Sequence, residues 1–506
     1  MIEPFPPRCS GGNWFRKTIF RSANRADFGQ GRSRIRARGR GMGREAMLTR
    51  RDVVKGAAAT ALAGIVAGRG WAHGKNAPNI VFILADDLGY ADLSCFGRED
   101  YETPNIDRLA SSGVRLTRSY ANSSVCSPTR LALMTGRYQY RWPAGLDEPL
   151  GRKPELGLPP DVPTFADLFR QAGYATSLVG KWHLGGLPQF GPLKSGYDRF
   201  WGIYQGGADY FLHGMTIRGK FSHDLFEDET EIHRQGYLTD LITQRSLSEI
   251  ERYSKSSKPF LLSVHYTAPH WPWEGIEDEA VAGQIRDSFH YDGGSSATYA
   301  AMVKSLDEGV GKIMATLRAQ GLGDNTIVVF TSDNGGERFS KNWPFRGMKG
   351  ELLEGGIRVP TIMSWPGRIA PASENGLINI TMDFVPTLLA AAGIQGRKAI
   401  DFDGVDLLPD LLGRTPGKER TLFWRHFAQN QLAAMRGNMK YLQMSGHEFL
   451  FAIDQDPREV ANIRSHHREI FDELRKALAN WNADMLPYPD DTFSYELRDN
   501  GHLAGY

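Results

Sequence analysis

Four short apolar runs, at residues 80–85, 175–179, 260–264 and 326–330, constrain this chain more than any other feature. They are rich in β-branched residues and too short for helices, so each is predicted as a strand buried on both faces. Helical signals separate them. Thr103 followed by Pro104 reads as an N-cap with proline in the first turn, ahead of an apolar stripe at Ile106, Leu109 and Ala110 that stops at Gly113. Residues 163–173, 299–320 and 383–393 repeat the apolar stripe closed by glycine. Strands alternating with helices imply an α/β fold, a mostly parallel central sheet with helices on both faces. Ligands bind such sheets outside the carboxyl ends of the strands. There the sequence places Asp86 and Asp87, Lys181 and His183, His270, and Asp333 and Asn334. A charged or imidazole group follows every one of the four strands.

After about residue 400 the pattern changes. Short strand-like pieces at 422–427, 433–435, 441–444 and 449–453 predict a small antiparallel sheet, closed by an amphipathic helix at about 466–481. A chain of 506 residues exceeds what one core supports, so a catalytic domain over 73–400 and a C-terminal α+β subdomain over 401–506 are expected. No stretch of bilayer length is free of charge and glycine, which argues against stable membrane insertion. Of the lysines and arginines, 15 lie in residues 1–72 against 4 acids, so the formal net charge of +2 becomes −9 for residues 73–506. A mildly acidic body argues against nucleic acid as a partner.

Residues 47–72 contain Arg50 and Arg51, then Lys55, an apolar small-residue run at 57–68, and Ala72. This resembles a bacterial twin-arginine export signal, so the twin-arginine machinery is an expected partner and the periplasm or exterior the expected location. Residues 1–46 are Arg- and Gly-rich without apolar periodicity and read as disordered. A basic arm or an organellar transit peptide would account for them; a start codon set upstream of the true one at Met47 does so more simply. Of the three cysteines, Cys9 falls in this leader, leaving Cys95 and Cys126. Two thiols cannot build a disulfide framework or a thiolate metal site.

The sharpest motif is Cys126, Ser127, Pro128, Thr129, Arg130, followed by residues 131–136. Proline in the first turn would set Cys126 at a helix N-terminus, where free N–H groups favour an anion. The motif has companions in order: Asp86 and Asp87; residues 180–185 around Lys181 and His183; residues 268–272 around His270; residues 332–336 around Asp333 and Asn334; and residues 346–350 around Lys349, with Glu354, Gly355 and Gly356. Over roughly residues 79–370 the chain resembles the type I, formylglycine-dependent sulfatases, arylsulfatase-like members of the alkaline phosphatase superfamily. A weaker echo at Asp456, Pro457 and Asn462 is interrupted by Phe451 and Ala452, which depart from the usual residues.

The resemblance implies the chemistry. A maturation enzyme oxidises Cys126 to formylglycine, whose hydrate attacks the sulfur of a sulfate monoester and later expels sulfate as its second hydroxyl loses a proton. Arg130 steadies the diol, Lys181 holds diol and sulfate, and His183 takes the proton. His270 donates to the departing alcohol, aided by Lys349; an imidazole suits because its pKa lies near neutral. Asp86, Asp87, Asp333 and Asn334 offer only hard oxygen ligands and, with an oxygen of modified Cys126, suit Ca²⁺, with Mg²⁺ second. Adjacent carboxylates on a regular strand point to opposite faces, so the chain must turn at Asp86 and Asp87. Lys181 and His183, two apart, face the same way if their segment is extended. The rivals are a phosphonate or phosphate ester hydrolase using the same aldehyde and a catalytically silent binding protein. Trp271, Trp273, His213, His223, His233, Trp424 and Arg425 read as packing or loop residues, and Cys95 as an inert buried thiol.

Overall fold

Strand β1 (Asn79–Ala85) buries all seven of its residues. Successive side chains alternate across a strand, so Ile80, Phe82 and Leu84 enter one core while Val81, Ile83 and Ala85 enter another. That two-sided burial makes β1 the middle of a ten-stranded sheet. The computed structural model describes residues 76–151, 153–288, 293–394, 400–414, 417 and 419–496. The expected export signal, Met47 and Cys9 lie outside the described residues.

The remaining strands of the sheet are β2 (Val114–Leu116), β3 (Ala175–Lys181), β4 (Arg199–Ile203), β5 (Phe226–Glu227), β6 (Thr230–Glu231), β7 (Phe260–His265), β8 (Thr326–Ser332), β9 (Ile362–Ser364) and β10 (Ser373–Asn375). Five run parallel in the order β8, β1, β7, β3, β4, and antiparallel strands extend both edges. The register sets Ala85 beside Ser332, Leu84 beside His265 and His265 beside Gly180. Four carboxyl ends therefore finish at one level. Lys181 is the last residue of β3 rather than past its end.

Helices cover both faces, as expected: α1 (Pro104–Ser111), α2 (Cys126–Thr135), α3 (Phe165–Gln171), α4 (Leu238–Ser254), α5 (Ser296–Ala319) and α6 (Phe384–Ala391). Leu131, Phe165, Phe169 and Leu388 pack with Phe82; Ile106, Ile242, Met302 and Leu306 pack with Ile83. Thr103 does precede α1 with Pro104 in its first turn, but its side chain makes no cap. The Thr103 hydroxyl is engaged with Ser94 and Asp107 instead. Asp307, reaching over from α5, accepts the Asn105 and Ile106 N–H groups at 3.0 and 2.8 Å. A carboxylate from another helix thus satisfies the free donors that a local cap would have taken.

Four antiparallel strands follow, β11 (Thr421–His426), β12 (Gln431–Arg436), β13 (Met439–Met444) and β14 (His447–Ala452), paired in chain order. Helix α7 (Arg468–Ala483) lays Phe471, Leu474 and Leu478 against Ala434, Tyr441 and Leu450, each side chain contributing roughly 1.5–3 kcal/mol by burial. The sheet's other face packs Trp424, Ala433 and Phe451 against Tyr120, Ile357 and Met382. Lys440 of β13, fully buried, lies 2.9 Å from both Glu354 and Glu459. Among the described residues no helix is long and apolar enough to cross a membrane.

Candidate active site

Cys126 is the first residue of α2, with extended Val125 as its N-cap. All ten residues of this helix are buried, polar ones included. Ser127 uses its hydroxyl to accept the Leu150 N–H at 2.6 Å, and Thr129 accepts that of Ser123 at 2.9 Å, so the first turn is tied to two loops. The helix start is therefore fixed as a rigid floor. No side chain caps it, which leaves its N–H groups facing the site.

Around that floor the strand ends converge. β1 ends at Ala85, and Asp87 adopts a left-handed φ of 61°. This turn resolves the problem of adjacent carboxylates: ligand atoms of Asp86, Asp87, Cys126 and His270 all lie within 4.8 Å of one another. Asp87 is held by Lys349 Nζ at 2.6 Å, by Asn334 Nδ2 at 2.7 Å, and through its own N–H by Asp333 at 3.3 Å. Lys181 Nζ pairs with Asp86. Arg130 reaches Asp333 at 2.8 Å and Asp86 at 3.7 Å, and donates to the Lys181 carbonyl at 3.2 Å. The extended segment assumed for Lys181 and His183 is absent, because His183 has a φ of 59°. Both still reach the site, Lys181 behind the carboxylates and His183 in the wall of the cavity.

The hydrogen bonds assign the imidazole protons. His183 Nε2 lies 3.1 Å from the Leu150 carbonyl and must donate to it, which leaves Nδ1, without a hydrogen-bond partner, as an acceptor. His270 Nδ1 donates to the Trp271 carbonyl at 2.6 Å while Nε2 sits 3.5 Å from Asp87. Burial, then Lys181 and Arg130, hold His183 well below its usual pKa; burial and Lys349 do the same for His270. Burial also pushes the Cys126 thiol above its usual range despite Lys181 and Lys349. A thiolate is thus not favoured here.

Three carboxylates, Asp86, Asp87 and Asp333, face three cations, Arg130, Lys181 and Lys349. Burial pushes Asp87 up, but Lys349, His270 and Lys181 outweigh it and hold the carboxyl at about 2. Burial and Asp86 push Asp333 up to about 7 in spite of Arg130. Oδ1 of Asp86 and Oδ1 of Asn334 are buried without a hydrogen-bond partner. Unsatisfied hard oxygens beside a strained carboxylate are the donor set a hard divalent cation requires.

The family model described as Sulfatase matches residues 78–394, and one described as N-sulphoglucosamine sulphohydrolase, C-terminal, matches residues 348–484. This chain belongs to the sulfatase family. The dog (Canis lupus familiaris) N-acetylgalactosamine-6-sulfatase is 31% identical over 433 residues, covering 80% of each chain. Human arylsulfatase A is 33% identical over 383 residues, covering 69% of this chain and 70% of its own. Among solved structures, that of Ps i-CgsB in complex with k-i-k-neocarrahexaose superposes with a TM-score of 0.74 at 28% identity, covering 85% of this chain and 98% of the other. The protein is accordingly a sulfuric ester hydrolase with an alkaline phosphatase-like fold.

The sulfatase site opens into a cavity of about 310 Å³ lined by Cys126, His183, His270 and Lys349. Of the lining residues that escaped the sequence analysis, four stand out. Gly206 and Gly207 follow β4, and a Cβ at Gly206 would stand 2.5 Å from the His183 ring, one at Gly207 3.2 Å from the His270 ring. A side chain at Gly206 would collide with the His183 ring, and one at Gly207 would crowd that of His270. Gly206→Ala is expected to push His183 aside and lower kcat by about 10- to 100-fold, as misplaced groups do. A Tm close to that of the parent, measured alongside, would mark the loss as local.

The other two are Phe493 and Tyr495, from the C-terminal segment. Tyr495 donates to Glu337 at 3.0 Å, and the Lys349 ammonium lies 5.3 Å from its ring centroid. Buried Glu148 clasps this segment: its backbone pairs with Phe493 and Tyr495, and its carboxylate accepts from Ser494 and Tyr488 and lies 3.1 Å from His426. Trp424 and Arg425 stay out of the cavity, the first bonded to the Ala121 carbonyl, the second stacked on Tyr140 and Tyr488. His213 is buried against the Gly236 carbonyl, the His223 and His233 rings lie 4.3 Å apart at a tilt of 33°, and Trp273 is core. Trp271 does line the cavity. Cys95 is half-buried and free, its thiol pushed above its usual range by burial and Asp107.

Proposed function

We propose that this sulfatase hydrolyses an aryl or carbohydrate sulfate monoester with an oxygen nucleophile carried by residue 126, and that Cys126 is converted to formylglycine by a maturation enzyme for that purpose. What carries this reading is the position of Cys126, the first residue of a buried helix ringed by Arg130, Lys181, Lys349, His183 and His270. The hydrated aldehyde supplies a hydroxyl to attack sulfur and a second to release it. Asp86, Asp87, Asp333, Asn334 and residue 126 would hold one Ca²⁺, with Mg²⁺ second, and the ion supplies positive charge against the sulfate oxygens.

The side chains divide the remaining work. With buried Glu337 also acting on Lys349, the carboxylates are not outweighed by Arg130, Lys181 and Lys349, so a divalent ion would supply the positive charge an anionic ester needs. Lys349, in the cavity wall, presents its ammonium to sulfate, Lys181 neutralises Asp86 from behind, and Arg130 fixes Asp333 and the start of α2. Neutral His183, with Nδ1 unpartnered, accepts the proton when residue 126 releases sulfate. Burial and Lys349 hold His270 neutral; an anionic ester beside it favours its protonation, after which Nε2 donates to the leaving oxygen.

A phosphonate or phosphate ester would meet the same groups, so substrates decide. The matured enzyme is expected to turn over 4-nitrophenyl sulfate with kcat/KM at least about 100-fold above the matching phosphate and phenylphosphonate esters. Equal or faster phosphonate hydrolysis would move the protein to the alternative. Arg50 and Arg51 with the apolar run after them support export by the twin-arginine machinery to the periplasm. Lysine at both positions should leave active enzyme in the cytoplasm; unchanged export would refute that route.

A further inference from the structure

Away from the active site, one cluster among the described residues offers metal donors of a different kind. A ring nitrogen of His223, a carboxylate oxygen of Glu231 and a ring nitrogen of His233 all lie within 4.8 Å of one another. His223 closes the strand Lys220–His223 and Glu231 closes the edge strand β6, so hairpins of two separate sheets meet here. The His223 ring is held in place. Its Nε2 lies 2.8 Å from the Ile232 carbonyl and must donate to it, which leaves the lone pair on Nδ1. A carbonyl on the nitrogen that does not ligate is the usual way in which a metal-binding imidazole is oriented. The His223 and His233 ring centroids are 4.3 Å apart, and His233 Nε2 is 3.6 Å from Glu231 Oε1. Donors around a tetrahedral ion with bonds of about 2.0–2.1 Å stand roughly 3.4 Å apart. The His233 side chain is 77% exposed, which leaves it room to turn through the remaining distance. Among the described residues the ion partner of Glu231 is His233, and no lysine or arginine neutralises it.

We propose that His223, Glu231 and His233 form a second metal site, one for Zn²⁺ or a neighbouring late transition ion rather than for calcium. Two imidazoles and one carboxylate are a donor set for such an ion, whereas calcium takes about six to eight oxygens. Three protein donors on an exposed face leave the fourth position to water. The site shares no residue with the carboxylates around Cys126 and stands whatever the chemistry of residue 126. Its ion ties the hairpin to β6, and that tie bears on the cavity. The hairpin supplies Met215 and Ile217 to the cavity wall and Ser222 to an adjoining polar cavity that also holds Lys153 and Tyr204. Asp224, next to His223, accepts the N–H groups of Tyr204 and Gln205 at 3.2 and 2.7 Å, and Gln205 lines both cavities. An ion at His223 thus braces this wall from its outer side.

Calorimetric titration of zinc chloride into the purified, untagged protein, kept saturated with calcium, tests the site without reference to turnover. One zinc should bind with a Kd below about 50 µM, and His233→Ala and Glu231→Gln should each weaken it by at least about 10-fold. Asp333→Ala, which alters the carboxylates around Cys126, should bind that zinc as the parent does. Because His233 is exposed, His233→Ala should keep the parent's Tm in the absence of zinc, and added zinc should raise the Tm of the parent and not of the variant. Weaker binding than this by the parent, an affinity indifferent to both substitutions, or a zinc lost in Asp333→Ala and kept in His233→Ala would overturn the proposal.

Discussion

Protein made without a maturation enzyme will keep Cys126 as a thiol and hydrolyse sulfate esters roughly 10⁴-fold or more slowly than converted protein, since loss of a nucleophile removes the step everything else supports. The thiol is a poor substitute on two counts. Burial holds it protonated, and a soft sulfur sits 3.9 Å from Asp87 in a site whose other donors are hard oxygens. Mass spectrometry of the tryptic peptide containing residue 126 should show CH₂SH replaced by CHO in active preparations only. Full activity from wholly unmodified protein would end the formylglycine mechanism. Cys126→Ala should be as inactive as the unconverted chain, with the fold retained.

Asp333→Ala should lose the bound divalent ion and with it about 10³-fold or more of activity. Asp333 accepts from Arg130 and from the Asp87 N–H, and burial beside Asp86 raises its pKa to about 7 in spite of Arg130, so a further cation among these carboxylates relieves their repulsion. Added calcium should therefore raise the Tm of the parent protein in a concentration-dependent way, by linkage, and leave that of the variant unmoved. Elemental analysis checks the stoichiometry. Zinc at one equivalent in the active parent, still present in His233→Ala, would contradict a site made only of hard oxygens.

The parallel sheet was legible because strands like 80–85 and 326–330 must be buried on both faces and say so in unbroken apolar runs. The site followed, since parallel strands bring the residues after Ala85, Lys181, His265 and Ser332 to one edge. What stayed hidden depends on contacts distant in sequence. The left-handed turns at Asp87 and His183 are unfavourable for such residues alone and exist because the surrounding site over-determines them. The cap on α1 comes from Asp307, some 200 residues away, and no local pattern announces it. Gly206 and Gly207 carry no local sign of their role, which comes from the imidazoles beside them. Phe493 and Tyr495 lie in a polar tail without periodicity, and their role emerges only from the clasp at Glu148.

The burial of α2 along its whole length carries a consequence for timing. Cys126 is 1% exposed and Pro128 and Arg130 are equally hidden, so another protein can read the motif only before the helix docks. The cavity, for its part, is not walled until Phe493 and Tyr495 have been synthesised. Between residue 126 and residue 495 about 370 residues must be added, roughly 20–75 s at ordinary translation speeds. If Cys126 is converted as proposed, conversion has a deadline, set by the race between the ribosome and the first packing of the core. On that proposal a chain that folds early would seal in a thiol, and export by the proposed twin-arginine route, which carries folded protein, would pass that product as readily as the converted one.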